Sequence, residues 1–212
     1  MKYHDFRRQY LAGGLRRDDL MNSPFDQFQL WLDQALSSEI RDPTAMVLST
    51  IDYTGKPWQR IVLMKAFSSS GFIFFTNYNS AKGTAISNNS EVSLLFPWNE
   101  LDRQVIVGGK AEKLSKVDSE LYFKSRPRES RLVALFSDQS RPVADREYLV
   151  AGVDALNKKY PGDKIPFPED WGGYRVISSR MEFWQGGENR LHDRFLYLLD
   201  VDQTWNIQRL QP

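Results

Sequence analysis

Between residues 45 and 114 the chain offers five strand-like segments joined by short turns and one helical interruption. Ala45–Ile51 is apolar and partly β-branched, and Asp52-Tyr53-Thr54-Gly55 then reads as a turn. Trp58–Phe67 follows as a second strand and Gly71–Thr76 as a third. Residues 80–88 have a helical pattern, after which Glu91–Trp98 and Arg103–Leu114 resume as strands. Links this short suit antiparallel neighbours, because a parallel pair needs a crossover of a dozen or more residues. The expected fold is therefore mainly β with flanking helices (α+β), a mostly antiparallel barrel and not a doubly wound parallel sheet. No Gly-x-Gly-x-x-Gly follows a strand and no Gly-Lys-Ser/Thr phosphate loop occurs, so neither nucleotide motif is supported.

The flanks supply the helices. From Pro24 to Ile40 the residues Phe25, Phe28, Leu32, Ala35 and Leu36 recur at helical spacing, with Ser23 as N-cap and Pro24 in first position. Residues 116–137 read as two helices broken at Pro127, the second capped by Ser130, and Asp145–Tyr160 as a further amphipathic helix. Strands resume at Gly173–Ile177, Met181–Trp184, Phe195–Asp200 and Thr204–Leu210. Residues 1–22, with Arg7, Arg8, Arg16 and Arg17 interleaved with Tyr3 and Tyr10, read as a mobile N-terminal arm. The arm is either solvated or a flap that closes over an anionic ligand. Residues 23–212 read as a single domain with packing helices.

Composition removes whole classes of function. Lys and Arg number 28 against 27 Asp and Glu, so no overall basic field argues for nucleic acid or membrane. There is no cysteine, hence no disulfide, thiolate metal site or cysteine nucleophile. With only His4 and His192, a histidine-built metal centre is not expected. No apolar run approaches the ~20 residues that span a bilayer, and the N-terminus lacks a signal-like apolar core. The expectation is a soluble, cytoplasmic protein whose redox chemistry, if any, rides on an organic cofactor.

Four stretches concentrate polar chemistry. In Phe183–Phe195, read as extended, Arg190, His192 and Arg194 share one face, and such a row of cations calls for an anionic or electron-rich partner. Gly186-Gly187 ahead of it allows a bend or a close approach to a ligand. In Arg60-Ile-Val-Leu-Met-Lys65 two cations lie five apart, on opposite faces of a regular strand. They serve one ligand only if the strand ends or bulges between them, or if the site spans a subunit interface. Phe75–Lys82 leaves a strand, passes a polar loop and enters a helix start, the ingredients of a phosphate site. Tyr122 and Arg126, four apart and pointing towards Ser130, offer a second cradle. Each has a bland alternative: solvated arginines, ordinary strand ends, a capped turn or a helix corner.

Taken together, Asp42-Pro-Thr-Ala-Met46, Arg60–Lys65, Ser93-Leu-Leu-Phe-Pro-Trp98, Tyr122-Phe-Lys-Ser-Arg-Pro-Arg128 and Phe183–Phe195 resemble the pyridoxine (pyridoxamine) 5′-phosphate oxidases, from about Arg7 to the C-terminus. That resemblance implies an FMN-binding split β-barrel, a homodimer with flavin mononucleotide (FMN) at the subunit interface. It implies oxidation of pyridoxine 5′-phosphate and pyridoxamine 5′-phosphate to pyridoxal 5′-phosphate, with electrons passing through FMN to O2. It also assigns residues. Arg60, Ile61, Val62, Lys65, Phe75, Thr76, Lys82, Gln104, Gln139, Ser140, Trp184 and Arg194 belong to the flavin. Lys65, Tyr122, Arg126 and Ser130 belong to the substrate phosphate, Arg190 and His192 to the pyridine ring and its chemistry, and Arg7 and Tyr10 to a lid. No metal is implied.

The chain departs from the family pattern twice: Ala81 stands where an arginine is frequent, and Phe75 where a tyrosine is. Losing one charge-assisted hydrogen bond costs ~1.5–3 kcal/mol, so weaker FMN binding with normal chemistry is the expectation. A flavin reductase of similar fold, or a vitamin or flavin carrier without turnover, are the alternatives.

Overall fold

The computed structural model describes Tyr10 and residues 13–212. Nine strands and five α-helices follow in chain order: α1 (Pro24–Leu36), β1 (Ala45–Ile51), β2 (Pro57–Leu63), β3 (Ala66–Ser68), β4 (Gly71–Asn77), α2 (Ala81–Asn88), β5 (Glu91–Trp98), β6 (Arg103–Lys113), α3 (Lys116–Ser125), α4 (Arg128–Phe136), α5 (Arg146–Lys159), β7 (Trp171–Gln185), β8 (Asp193–Leu199) and β9 (Trp205–Leu210). All pairings are antiparallel, in the order β2-β1-β5-β6-β7-β4-β3, and β8 and β9 extend from β7.

The two ends of that path, β2 and β3, are separated in sequence only by Met64 and Lys65. Two residues span less than about 7 Å, so the sheet has to curl until its ends meet. The hand-over is visible in the backbone: Met64 N donates to Thr44 O beside β1, while Lys65 N donates to Ile73 O on β4. The single strand expected over Trp58–Phe67 is thus two, with Arg60 in the middle of β2 and Lys65 in the two-residue link to β3. The strand break between them was one of the arrangements that lets both cations serve one ligand.

β7 corrects a second expectation. Gly173–Ile177 and Met181–Trp184 are parts of one strand, which pairs β4 over Trp171–Val176 and β8 over Arg180–Gln185. The polar Ser178-Ser179-Arg180 between them sits where the β6 register slips at Gly108/Gly109. A bulge bends the strand there, which lets one strand serve two neighbours on the same edge.

Helix α1 closes the core. Ser23 Oγ accepts from the backbone N–H of Phe25 and Asp26, and Pro24 takes the first turn as expected. The stripe Phe25, Phe28, Trp31, Leu32 and Ala35 is buried. Phe28 alone lies 4.8 Å from Phe67, 4.9 Å from Phe72 and 4.8 Å from Phe96, ring centre to ring centre. Leu15 and Leu20, from the segment read as an arm, join the same core. Among the described residues, no helix is long and apolar enough to cross a membrane.

Candidate active site

The expected site residues fall into three groups. The first lies where β4 runs into α2. Ser80 caps α2, accepting from Gly83 N, and Lys82 in the first turn folds back over the cap. Its Nζ donates to Thr76 Oγ1 (3.2 Å), Gln139 Oε1 (3.1 Å) and Ser80 Oγ (3.4 Å). Thr76 Oγ1 in turn donates to Gln139 Oε1 at 3.0 Å. Arg60, on β2, donates to Leu48 O and Thr50 Oγ1. Burial, and then the nearby Arg60 charge, push the Lys82 amine down to about 8. Burial also lowers Arg60. Among the described residues neither cation is paired with a carboxylate, so the corner holds unpaired positive charge beside a cavity of about 400 Å³ lined in part by Asp52, Arg60, Thr84 and Ser140.

Ser140 reaches that cavity with a left-handed backbone (φ 74), inside a turn closed by Arg141 N donating to Asp138 O. Ile61 points outward from β2 and is 71% exposed, while Val62 packs against the core. Lys65 is exposed at the hand-over between β2 and β3, with no side-chain partner among the described residues.

The second group is at the α3–α4 corner. Tyr122 stacks on Phe75 with ring centres 3.7 Å apart, and Phe75 stacks on Trp171 at 5.5 Å. The Arg126 guanidinium lies 4.7 Å over the Trp171 ring. Its Nη1 is buried without a hydrogen-bond partner, which is costly unless an anion arrives. Burial lowers Arg126 and raises Tyr122. Ser130 does not cap α4. The helix begins at Arg128 behind Pro127, so Ser130 sits inside the first turn, where backbone N–H groups lack intrahelical partners.

The third group lies across β6, β7 and β8, where Gln104 is paired with Trp184 and Trp184 with Arg194. Directly paired residues of neighbouring strands share a face, so these three expected flavin residues form one row. Arg194 is held by Glu182 (2.8 Å) and by Gln211 O. The Phe183–Phe195 stretch is not extended throughout. It leaves β7 after Gln185, turns through Glu188–Arg190 with Asn189 (φ 54) and Arg190 (φ 66) left-handed, and enters β8 at Asp193. Arg190, His192 and Arg194 therefore do not share a strand face: Arg190 is exposed on the turn, and Arg194 is paired on β8. His192 packs against Trp184 (4.7 Å) and Tyr10 (5.2 Å), and its Nδ1 accepts from Gly187 N. The nearby glycines answer the chain's own packing: a Cβ on Gly186 would sit 2.5 Å from the Tyr10 ring, and one on Gly187 would sit 2.2 Å from Leu191 O. Arg7 lies outside the described residues.

Sequence reasoning missed three supports. Asp193 accepts from Leu15 N and pairs with Arg209, tying Leu15 to β8. Buried Glu182 fixes Arg194. Trp171 backs both the aromatic stack and Arg126. Only Trp171, at the end of a Pro-rich link, carried a local signal.

A curled antiparallel sheet with an aromatic row and two corners whose cations pair with no carboxylate among the described residues defines a split β-barrel protein equipped to hold anionic ligands. The chain belongs to the pyridoxine/pyridoxamine 5′-phosphate oxidase family. Residues 32–160 match the family model described as pyridoxamine 5′-phosphate oxidase, and residues 171–212 match that of the pyridoxine 5′-phosphate oxidase C-terminal dimerisation region. The pyridoxine/pyridoxamine 5′-phosphate oxidase of Pseudoalteromonas translucida is 48% identical over the full length of both chains, and that of Photobacterium profundum 49%. Among solved structures, PhzG of Burkholderia lata in complex with tetrahydrophenazine-1-carboxylic acid is 29% identical with a TM-score of 0.87, over 93% of this chain and 98% of that one. An FMN-binding, pyridoxamine 5′-phosphate oxidase-related protein of Nostoc punctiforme shares the fold at 16% identity and a TM-score of 0.72, over 90% of this chain and 98% of that one.

Proposed function

We propose that this chain is a cytoplasmic homodimeric oxidase that converts pyridoxine 5′-phosphate and pyridoxamine 5′-phosphate to pyridoxal 5′-phosphate, with FMN as cofactor and O2 as the final acceptor. The observation that carries this reading is Arg126, whose Nη1 is buried near Tyr122 with no hydrogen-bond partner among the described residues. Such a group fits a phosphoester, which offers a guanidinium bidentate, charge-assisted bonds. The Arg60–Lys82 corner, whose two cations pair with no carboxylate among the described residues, suits a second phosphate, so two phosphorylated ligands have two anchors.

When bound, FMN supplies a two-electron acceptor for the hydrogen leaving substrate C4′ and passes the electrons to O2, giving hydrogen peroxide. The protein's share is position and charge. Arg126, Tyr122, Ser130 and Lys65 hold the substrate phosphate. Arg60, Lys82, Thr76, Gln139 and Ser140 hold the cofactor phosphate. Ile61 and Val62 contribute main-chain groups from a strand that, among the described residues, pairs only β1. Phase separation of roles continues across the sheet, where Gln104, Trp184 and Arg194 form the cofactor wall and Phe75 backs Tyr122. Arg190 and His192 flank the pyridine ring, and Arg7 and Tyr10 close over it. Arg190 balances negative charge that develops as the C4′ alcohol or amine gives up its proton. His192, with Nδ1 already accepting a backbone hydrogen bond, orients ligand through Nε2.

A second copy fits the same observations. β2 exposes Trp58 and Ile61, and α5 contributes no buried residue and exposes Tyr148 and Val150. Such apolar area suits a partner surface. A purified sample given FMN and pyridoxine 5′-phosphate in air should form pyridoxal 5′-phosphate and peroxide in equal amounts. Flavin binding without turnover would reduce the protein to a carrier, and consumption of NADPH would make it a reductase.

A further inference from the structure

We infer that Arg141 is a cofactor-phosphate-binding residue of this chain, supplying from the Asp138–Arg141 turn the positive charge that the first position of α2 lacks. The inference rests on the flavin reading of the Arg60–Lys82 corner. Three observations carry it. Arg141 and Ala81 line the same cavity, together with Arg60 and Ser140. Ala81 occupies the first helical position after the Ser80 cap, where a ligand anion would meet the α2 N-terminus, and it brings only a methyl group. The turn that carries Arg141 is locked on both sides. Gln139 is bonded to Thr76 and Lys82, and Arg141 N is bonded to Asp138 O, with Ser140 held left-handed between them.

A left-handed serine costs on the order of 1 kcal/mol and persists only where its surroundings enforce it. Here it turns the chain so that Gln139 reaches one end of the corner and Arg141 the other. Among the described residues the Arg141 side chain has no acid partner. Asp52 also lines the cavity, but Thr54, Lys56 N and Trp58 Nε1 all donate to its carboxylate. Those hydrogen bonds keep Asp52 ionised but engaged within its own turn, and with no carboxylate paired to it the Arg141 guanidinium is open to a phosphate. The loss of a cation at position 81 is then compensated from a different element, and the weak FMN binding expected from Ala81 alone does not follow.

The test is the dissociation constant of the apoprotein for FMN and for riboflavin, read by quenching of flavin fluorescence, in wild type, R141A, A81R and R141A/A81R. Arg141 is exposed, so circular dichroism and melting of R141A should match wild type. FMN should bind R141A about tenfold more weakly, with riboflavin affinity unchanged. A81R should restore most of that loss in the R141A background and add little to wild type, because two cations serving one phosphate are not additive. An R141A protein that binds FMN within twofold of wild type, or that loses FMN and riboflavin equally, overturns the assignment alone. A wild-type protein that binds no FMN overturns the flavin reading and the assignment with it.

Discussion

Arg126→Met removes a guanidinium whose Nη1 is buried without a partner, while keeping an apolar stem against Trp171. In the ligand-free protein the change has two opposing effects. Relief of a buried, unsatisfied donor contributes about 1–3 kcal/mol of stability, and loss of the stacking over Trp171 takes away about 1 kcal/mol. The apoprotein should therefore melt at the same temperature as wild type, or slightly higher. With a phosphorylated substrate the sign reverses. One charge-assisted bond in a half-buried corner is worth about 2 kcal/mol, which is roughly thirtyfold in affinity. The KM for pyridoxine 5′-phosphate should rise about thirtyfold, FMN content should stay at wild-type level, and the rise in melting temperature given by saturating pyridoxal 5′-phosphate should shrink accordingly. Unphosphorylated pyridoxine is the control, since its weak turnover should be the same in both proteins. If Arg126→Met left KM unchanged and instead destabilised the apoprotein by more than about 2 kcal/mol, Arg126 would be a structural residue and the second phosphate anchor would be gone.

Lys82→Met tests the other corner through pH. The amine is held down to about 8 by burial and then by Arg60, so wild-type FMN affinity should fall as pH rises through about 8 and the amine loses its proton, whereas Lys82→Met should bind more weakly and show a flat profile. In the apoprotein the folded amine binds fewer protons than the unfolded one between its lowered value and its ordinary one, so its contribution to stability rises with pH across that window; denaturant titrations at several pH values would expose the slope. Arg190→Ala should cut turnover at least a hundredfold-order effect (about 10²) while leaving FMN content intact, and an empty flavin site in that variant would reverse the division of roles. Phe28→Ala should cost about 3–5 kcal/mol in urea denaturation, because its ring is buried completely among Phe67, Phe72 and Phe96.

Local signals in the chain were readable where the physics is local. Ser23 and Pro24 mark the start of α1, the helix expected over Asp145–Tyr160 is α5 (Arg146–Lys159), and β5 spans Glu91–Trp98 as expected. Elements shaped by distant partners were not readable. Nothing around Met64 announces that its N–H turns to β1 while the next one turns to β4, because barrel closure decides it. Ser178-Ser179-Arg180 looks like a break in sequence and is a bulge, because β6 continues to pair on the far side. The site followed the same rule. Thr76, Lys82 and Gln139 meet across a long span of chain, and the two-fold alternation assumed for Arg190, His192 and Arg194 failed because two left-handed residues turn the backbone there. Arg141 went unnoticed because its neighbours Ala81 and Arg60 come together only in the fold.

The account depends on two phosphate anchors that work at the same time on different ligands. Titrating FMN-loaded protein with pyridoxal 5′-phosphate, while following both bound ligand and flavin released to solution, tests that directly. The account predicts that pyridoxal 5′-phosphate saturates the active site with all of the flavin retained. Release of one flavin for each pyridoxal 5′-phosphate bound would mean a single shared anion site and would contradict it.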